Sequence, residues 1–442
     1  MFRQKWPLRA ALFCVAGSAT IALTAAAAPA VPVAGQPAAG RPAFAFGLPA
    51  LASVTVRAWG NNSSGQLGKG TTGGHNASPV KVRVPAGTTV KSLRAGCGHS
   101  LALTATGGVL AWGAGLRGQL GNGSKATKNT PVKVKLPKGT KVTAIRAGCE
   151  HSLALTAAGH VFAWGLNALG ELGTGGSRGS LVPVRVKLPK GTVVKAISAG
   201  CDHNLALTRA GKVYAWGYNF NGQLGNGGNA DRHTPVRVHL PPGVTATLIA
   251  AGCNHSFAVG SGGTLYGWGR NDSGQLGNGT RMDSNVPVPI NIILGPRAWP
   301  MRAALPGSAP HPGPAANPKL ISVFAGCNHT LALWSNGTLL SWGDDSFGQL
   351  GDGHTGGFSD VPVSVQYPSG DHIKAVSAGC THSLALTSTG QVLSWGDNDF
   401  GELGIGAPGN HDRPVPVALP SGRTATALGS GPSAQHSFAI VH

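Results

Sequence analysis

The sequence predicts an all-β fold, a seven-bladed β-propeller whose last blade is closed by N- and C-terminal strands. Three observations predict it. Trp-Gly recurs at Trp59, Trp112, Trp164, Trp216, Trp268, Trp342 and Trp395, with gaps of 53, 52, 52, 52, 74 and 53 residues. A fixed period of this length marks a propeller or a solenoid. Past the N-terminus, no segment repeats apolar residues at helical spacing over several turns. Finally, the two ends complement each other. His436-Ser-Phe-Ala-Ile-Val441 has no Trp-Gly after it, and Val54-Thr-Val-Arg-Ala-Trp59-Gly supplies the missing piece. A strand donated from one end to the other closes a ring and hides its edges, whereas a solenoid would need distinct caps.

In chain order, residues 1–30 read as a secretory signal. Arg3, Lys5 and Arg9 form a positive start, Ala10 to Ala28 is apolar, and Ala28-Pro29-Ala30 offers a small-residue cleavage site. The competing reading is an uncleaved membrane anchor. Cys14 follows Phe13, where a lipoprotein signal would need a small residue. Residues 31–52 are a Pro/Ala/Gly-rich linker. The propeller is expected over 53–442. No later segment is long and apolar enough to span a bilayer. The expected location is therefore secreted or in the cell envelope, with no stable membrane span after signal cleavage.

Each repeat holds four short strand candidates. In the first complete copy they are Pro79 to Val84, Val90 to Ala95, His99 to Thr104 and Gly108 to Trp112. The third places Leu101 and Leu103 on one face and Ser100, Ala102 and Thr104 on the other. Large and small faces suit sheets stacked in a circle, with one blade's bulk filling its neighbour's gap. After every Trp-Gly comes a Gly-Gln/Glu-Leu-Gly turn, first at Gly65 to Gly68 and last at Gly401 to Gly404. The Trp and the turn Leu are expected to be core.

Trp-Gly-x-Asn-x-x-Gly-Gln-Leu-Gly, at Trp59 to Gly68, Trp216 to Gly225 and Trp268 to Gly277, resembles the regulator-of-chromosome-condensation repeat. The preceding Ala-Gly-x-x-His-Ser-Leu-Ala-Leu-Thr strengthens the likeness, which covers about residues 53 to 442. The resemblance implies a seven-bladed propeller with a shared last blade. The Ala, Gly and Arg bias adds the look of a bacterial, high-GC sequence.

Ala-Gly-Cys-x-His or a near copy precedes six of the Trp-Gly pairs. Its histidines are His99, His151, His203, His255, His329 and His382, and His436 is a seventh. The cysteines are Cys97, Cys149, Cys201, Cys253, Cys327 and Cys380. Six cysteines in an exported chain would ordinarily mean disulfides. Equivalent positions, however, sit one blade apart. Packed sheets lie about 10 Å apart and bridged Cα atoms within about 6.8 Å, so buried thiols are expected, bridging being open only near the axis. Cys-x-His can also be read as metal ligation, but a tetrahedral site needs four ligands and each copy offers two. The His436 copy keeps His without Cys. The histidines are therefore expected to be structural. No metal or cofactor is predicted.

Formal net charge is +20, unevenly spread. Residues 54–212 hold 21 Lys and Arg against 3 acids, whereas 213–442 hold 10 against 12. One arc of the ring is therefore basic. Much of the charge alternates with apolar residues on one strand per repeat: Lys81 and Arg83, Lys133 and Lys135, Arg185 and Lys187, then Arg237 and His239. The last three repeats carry Pro289 and Asn291, Ser364 and Gln366, Pro416 and Ala418 instead. The stripe has two readings. It protects exposed strand edges from pairing, or it docks an anionic polymer or acidic protein. The fifth repeat is longer. Its Pro-rich insertion at 294–318 carries Trp299, which is either a partner anchor or merely tolerated.

No phosphate-cradling loop, Gly-x-Ser-x-Gly elbow or spaced carboxylate pair is present in the sequence. The leading expectation is an exported, monomeric, non-catalytic interaction scaffold for a protein or anionic polymer, with nucleic acid possible but not favoured. The family resemblance implies a second reading, guanine-nucleotide exchange on a small GTPase with chromatin binding, which a secretion signal opposes. A third is an enzyme inhibitor, because the chain is similar to secreted β-lactamase-inhibitory propellers of soil bacteria, whose repeats are shorter.

Overall fold

The computed structural model describes residues 54–292, 318–368, 370–432 and 434–442. The expected signal, linker and Trp-bearing insertion lie outside the described residues. Among the described residues there is no helix, and 28 strands form seven four-stranded antiparallel sheets. Strands β1 (Thr55–Asn61) and β2 (His75–Lys81) come first. Blade 1 is β3 (Val90–Ala95), β4 (His99–Thr104), β5 (Val109–Gly113) and β6 (Lys128–Lys133). Blades 2 to 6 follow as β7–β10 over 142–185, β11–β14 over 194–237, β15–β18 over 246–290, β19–β22 over 320–364 and β23–β26 over 373–416. Blade 7 joins β27 (Ala425–Gly429) and β28 (His436–Val441) to β1 and β2, in the order β2-β1-β28-β27.

Ring closure is thus a strand pairing. β1 and β28 run antiparallel from Thr55↔Val441 to Gly60↔His436 without a register break. The innermost strands touch in the cycle β3, β7, β11, β15, β19, β23, β27 and back to β3. Every blade except at its outer strand is therefore flanked on both faces.

The seams between blades carry the core. Leu101 and Leu103 pack with Val142, Ile145 and Trp164 of blade 2, while Ala102 lies with Trp112 and Phe438 at the blade 7 seam. All seven repeat tryptophans have no exposed surface. Each indole Nε1–H donates at 2.7–3.0 Å to the Gln or Glu carbonyl of the preceding blade's Gly-x-Leu-Gly turn, as Trp112 does to Gln66 and Trp59 to Glu402. The last glycine of the turn lies flat on that indole. A Cβ on Gly68, at φ +66°, would sit 2.8 Å from Trp112 Nε1. Both the conformation and the contact require glycine there.

The outer strand departs from the expected one. It runs over His75–Lys81 rather than from Pro79 to Val84. Asn76 and His75 pair with Gly60 and Asn61 beyond a bulge, which extends the ladder backwards. Forwards, the Arg83 amide donates to Gly68 and the Val84 amide folds back onto Val82, so the chain leaves the sheet.

Candidate functional site

The histidines form a closed circuit. Each Nε2 meets the residue after the next blade's histidine: His99 meets Ser152 (2.9 Å), His151 Asn204 (2.8 Å), His203 Ser256 (2.8 Å) and His255 Thr330 (3.2 Å). His329 meets Ser383 (3.0 Å), His382 meets Ser437 (2.7 Å), and His436 returns to Ser100 (2.8 Å). The donors Ser100, Ser152, Asn204, Ser256, Thr330 and Ser383 each spend a proton on the carbonyl that also receives the Trp indole or its equivalent in their blade. These side chains can only accept from histidine, so Nε2 carries the proton. All seven rings are fully buried. Burial holds His99, His203, His329, His382 and His436 down at about 3 and His151 at about 4, and pushes His255 well down. Their role is to tie each blade to the next. Among the described residues no group of three or more His, Cys, Asp or Glu could hold a metal ion.

The cysteines require a correction. Cys97 and Cys149 are disulfide-bonded, with Cα atoms 4.6 Å apart. Blades converge at the axis, so the spacing of packed sheets does not apply at this level. The Cys97 amide donates to the Cys149 carbonyl, Cys149 to Cys201 and Cys327 to Cys380, which draws the six positions into a narrow collar. Cys253 and Cys327 sulfurs lie 3.9 Å apart.

The basic stripe lies on the opposite, outer edge. Lys81, Lys133, Arg185 and Arg237 each end the outermost strand of four consecutive blades: 7, 1, 2 and 3. Val82, Val134, Val186 and Val238 turn into the seams, while Arg83, Lys135, Lys187 and His239 turn out again. All eight cationic or imidazole side chains are exposed. The second member of each pair is held by its amide, which donates to the last glycine of the Gly-x-Leu-Gly turn: Arg83 to Gly68, Lys135 to Gly121, Lys187 to Gly173 and His239 to Gly225. The spacing of the charges is therefore set by the rigid turn. The three ion pairs among the described residues, Arg117–Glu150, Arg270–Asp272 and His354–Asp352, involve none of the eight. On blade 2, Arg185, Lys187 and Lys190 with His160 line a cleft of about 460 Å³.

The comparisons with known proteins match this geometry. The RCC1-like domain profile covers residues 43–309, and the regulator of chromosome condensation (RCC1) repeat profile covers 336–386 and 389–440. The chain belongs to the RCC1-repeat family. It is 33% identical to the ultraviolet-B receptor UVR8 of Arabidopsis thaliana over 80% of this chain and 76% of the receptor. It is 31% identical to the human E3 ubiquitin-protein ligase HERC2 over 78% of this chain but only 7% of the ligase. Yeast RCC1 (Prp20), solved with Kap60, has the same fold, with a TM-score of 0.73, 24% identity and 88% of both chains covered.

Within the RCC1 repeat, one role escaped sequence reasoning. The Asn of Trp-Gly-x-Asn clamps the rim loop. Asn219 Nδ2 donates to the Gly228 and Ala230 carbonyls, and its Oδ1 accepts from the Leu224 amide. Asn62, Asn167, Asn271 and Asn398 accept from the turn leucine in the same way, and Asp345 substitutes for them in blade 5. The motif itself was the available signal. The loop clamped by Asn219 holds Phe220 out in solvent, 71% exposed.

Proposed function

We propose that this RCC1-repeat propeller is an exported, non-catalytic docking scaffold that engages an acidic protein surface with its basic outer edge. One observation carries the reading: among the described residues four consecutive blades, and only those, end their outer strands in an exposed cation followed two residues on by a second exposed cation or, in blade 3, by His239, and none of these groups is in an ion pair. Edge protection alone does not call for this. Pro289, Ser364 and Pro416 stand at the same position on three equally open edges and serve there without charge. A rigid curve of cations raises the encounter rate with an acidic partner and fixes its orientation. Related propellers support a protein partner, since yeast RCC1 is found bound to Kap60. The pattern of residues 1–30 supports export, which separates this chain from nuclear exchange activity.

The test is elution from immobilised polyglutamate. Lys133→Ser, Lys135→Ser, Arg185→Ser and Lys187→Ser together should move elution to much lower salt. Lys69→Ser, Arg178→Ser, Arg209→Ser and Lys212→Ser remove the same charge elsewhere and should move it little. Equal shifts in the two variants would show net charge acting without a docking edge.

A further inference from the structure

The innermost strands hold a second cationic feature, distinct from the outer stripe. Arg94 and Arg146 stand at the same position of adjacent innermost strands, one residue before the end of β3 and of β7 (Val142–Ala147). Their exposures are 3% and 6%. Each donates from Nη1 only to the carbonyl of its own predecessor, Leu93 or Ile145. Both Nε groups are buried without a partner, as is Ser430 Oγ on the exit of the neighbouring blade's innermost strand. Among the described residues no acid lies within ion-pair distance of either guanidinium. In the remaining blades the position holds Ser198, Ala250, Phe324, Ser377 and Gly429, none of which can neutralise them. Two like charges buried side by side are costly unless an opposite charge joins them.

The cysteine collar stands three residues beyond each arginine. Towards the other end, the second position of the innermost strands carries exposed Lys91, Lys195 and Lys374, exposed Thr143, Thr247 and Thr426, and half-buried Ile321, and no acid. Exposed lysines at one end of these strands and buried forked donors towards the other are the arrangement that draws in and holds an oxyanion.

We propose that Arg94 and Arg146, side by side on adjacent innermost strands, form a buried binding site for a small tetrahedral oxyanion, a phosphate or sulfate group. Burial also lowers the Arg94 guanidinium to about 10, and burial together with Arg94 lowers Arg146 well below its ordinary value, which an anion between them would reverse. The probe is inorganic phosphate, added at millimolar concentration against chloride at matched ionic strength. Wild-type protein should gain thermal stability that saturates with phosphate, and sulfate should act likewise. The Arg94→Met/Arg146→Met variant should fold in chloride and gain nothing from phosphate. Because that pair could disturb the core, Lys91→Ser/Lys195→Ser/Lys374→Ser provides a second arm, in which saturation should need several-fold more phosphate. The outer-edge variant of the previous subsection should respond as wild type, which separates this site from the docking edge. No saturable gain in wild type, or the same gain in the Arg94/Arg146 variant, overturns the proposal.

Discussion

Ending the chain at residue 435 should abolish the folded state. The missing strand, β28, is buried along its whole length and lies between β1 and β27. Its loss strips both neighbours of a ladder and exposes two edges. Phe438, Ile440 and Val441 leave the core, at about 1.5–3 kcal/mol each for burial alone. The T-shaped contact of Phe438 with Trp112 goes too. The histidine circuit opens at two points, leaving Ser100 without His436 and His382 without Ser437. Together these reach the whole net stability of a typical domain, about 5–15 kcal/mol. Circular dichroism and gel filtration should show a chain without cooperative melting. A synthetic peptide of residues 434–442 should restore it, because the groove left behind is a strand-shaped acceptor. A truncated chain that melts cooperatively by itself would mean blade 7 is dispensable.

Acid should unfold the protein late and steeply. The seven circuit histidines are neutral when folded and take up protons near 6.5 once unfolded. Between that value and about 3 the unfolded chain binds more protons, so stability falls as pH falls. Five carboxyls oppose this. Burial raises Asp202 to about 6, Glu171 and Asp345 to about 7 and Glu402 to about 8, and pushes Asp397 up as well, so the folded state binds their protons first. Their contribution grows as pH falls through those values and levels off at the ordinary carboxyl range near 4. The two sets overlap and partly cancel above about pH 4.5; below it the histidines act alone. The melting temperature should be nearly level from pH 6.5 to 5, then drop on the order of 10 °C per pH unit. Calorimetry across that range checks it. A fall completed by pH 5 would mean the rings are accessible to protons in the folded state.

The repeat made most of the fold legible. Period, face alternation and complementary ends yielded seven blades, and the inner three strands of a repeat lie within a residue of where the pattern puts them. The outer strand lies four residues early at its start and three at its end, because the Arg83 amide is taken by the preceding turn and not by a ladder. The cysteine pairing was misread because sheet spacing was taken as uniform, whereas Cys97 and Cys149 stand where the blades converge. The histidine circuit was half visible. The residue after each histidine is Ser, Asn or Thr in all seven copies, but only the three-dimensional register shows that it serves the neighbouring blade. Arg94 and Arg146 counted towards net charge, yet their apolar-patterned strand position was the sign that they are buried. The stripe was legible as a charge pattern, while the absence of acids opposite it needed the fold.

The account depends on β1 and β28 sharing one sheet, so that the docking edge and the inner arginine pair ride on a closed disc. Hydrogen exchange by mass spectrometry on residues 54–61 and 436–442 addresses this directly. Closure predicts that both segments exchange together, as slowly as the central strands, at the rate of global unfolding. Exchange of 436–442 within seconds, while the other blades stay protected, would contradict it.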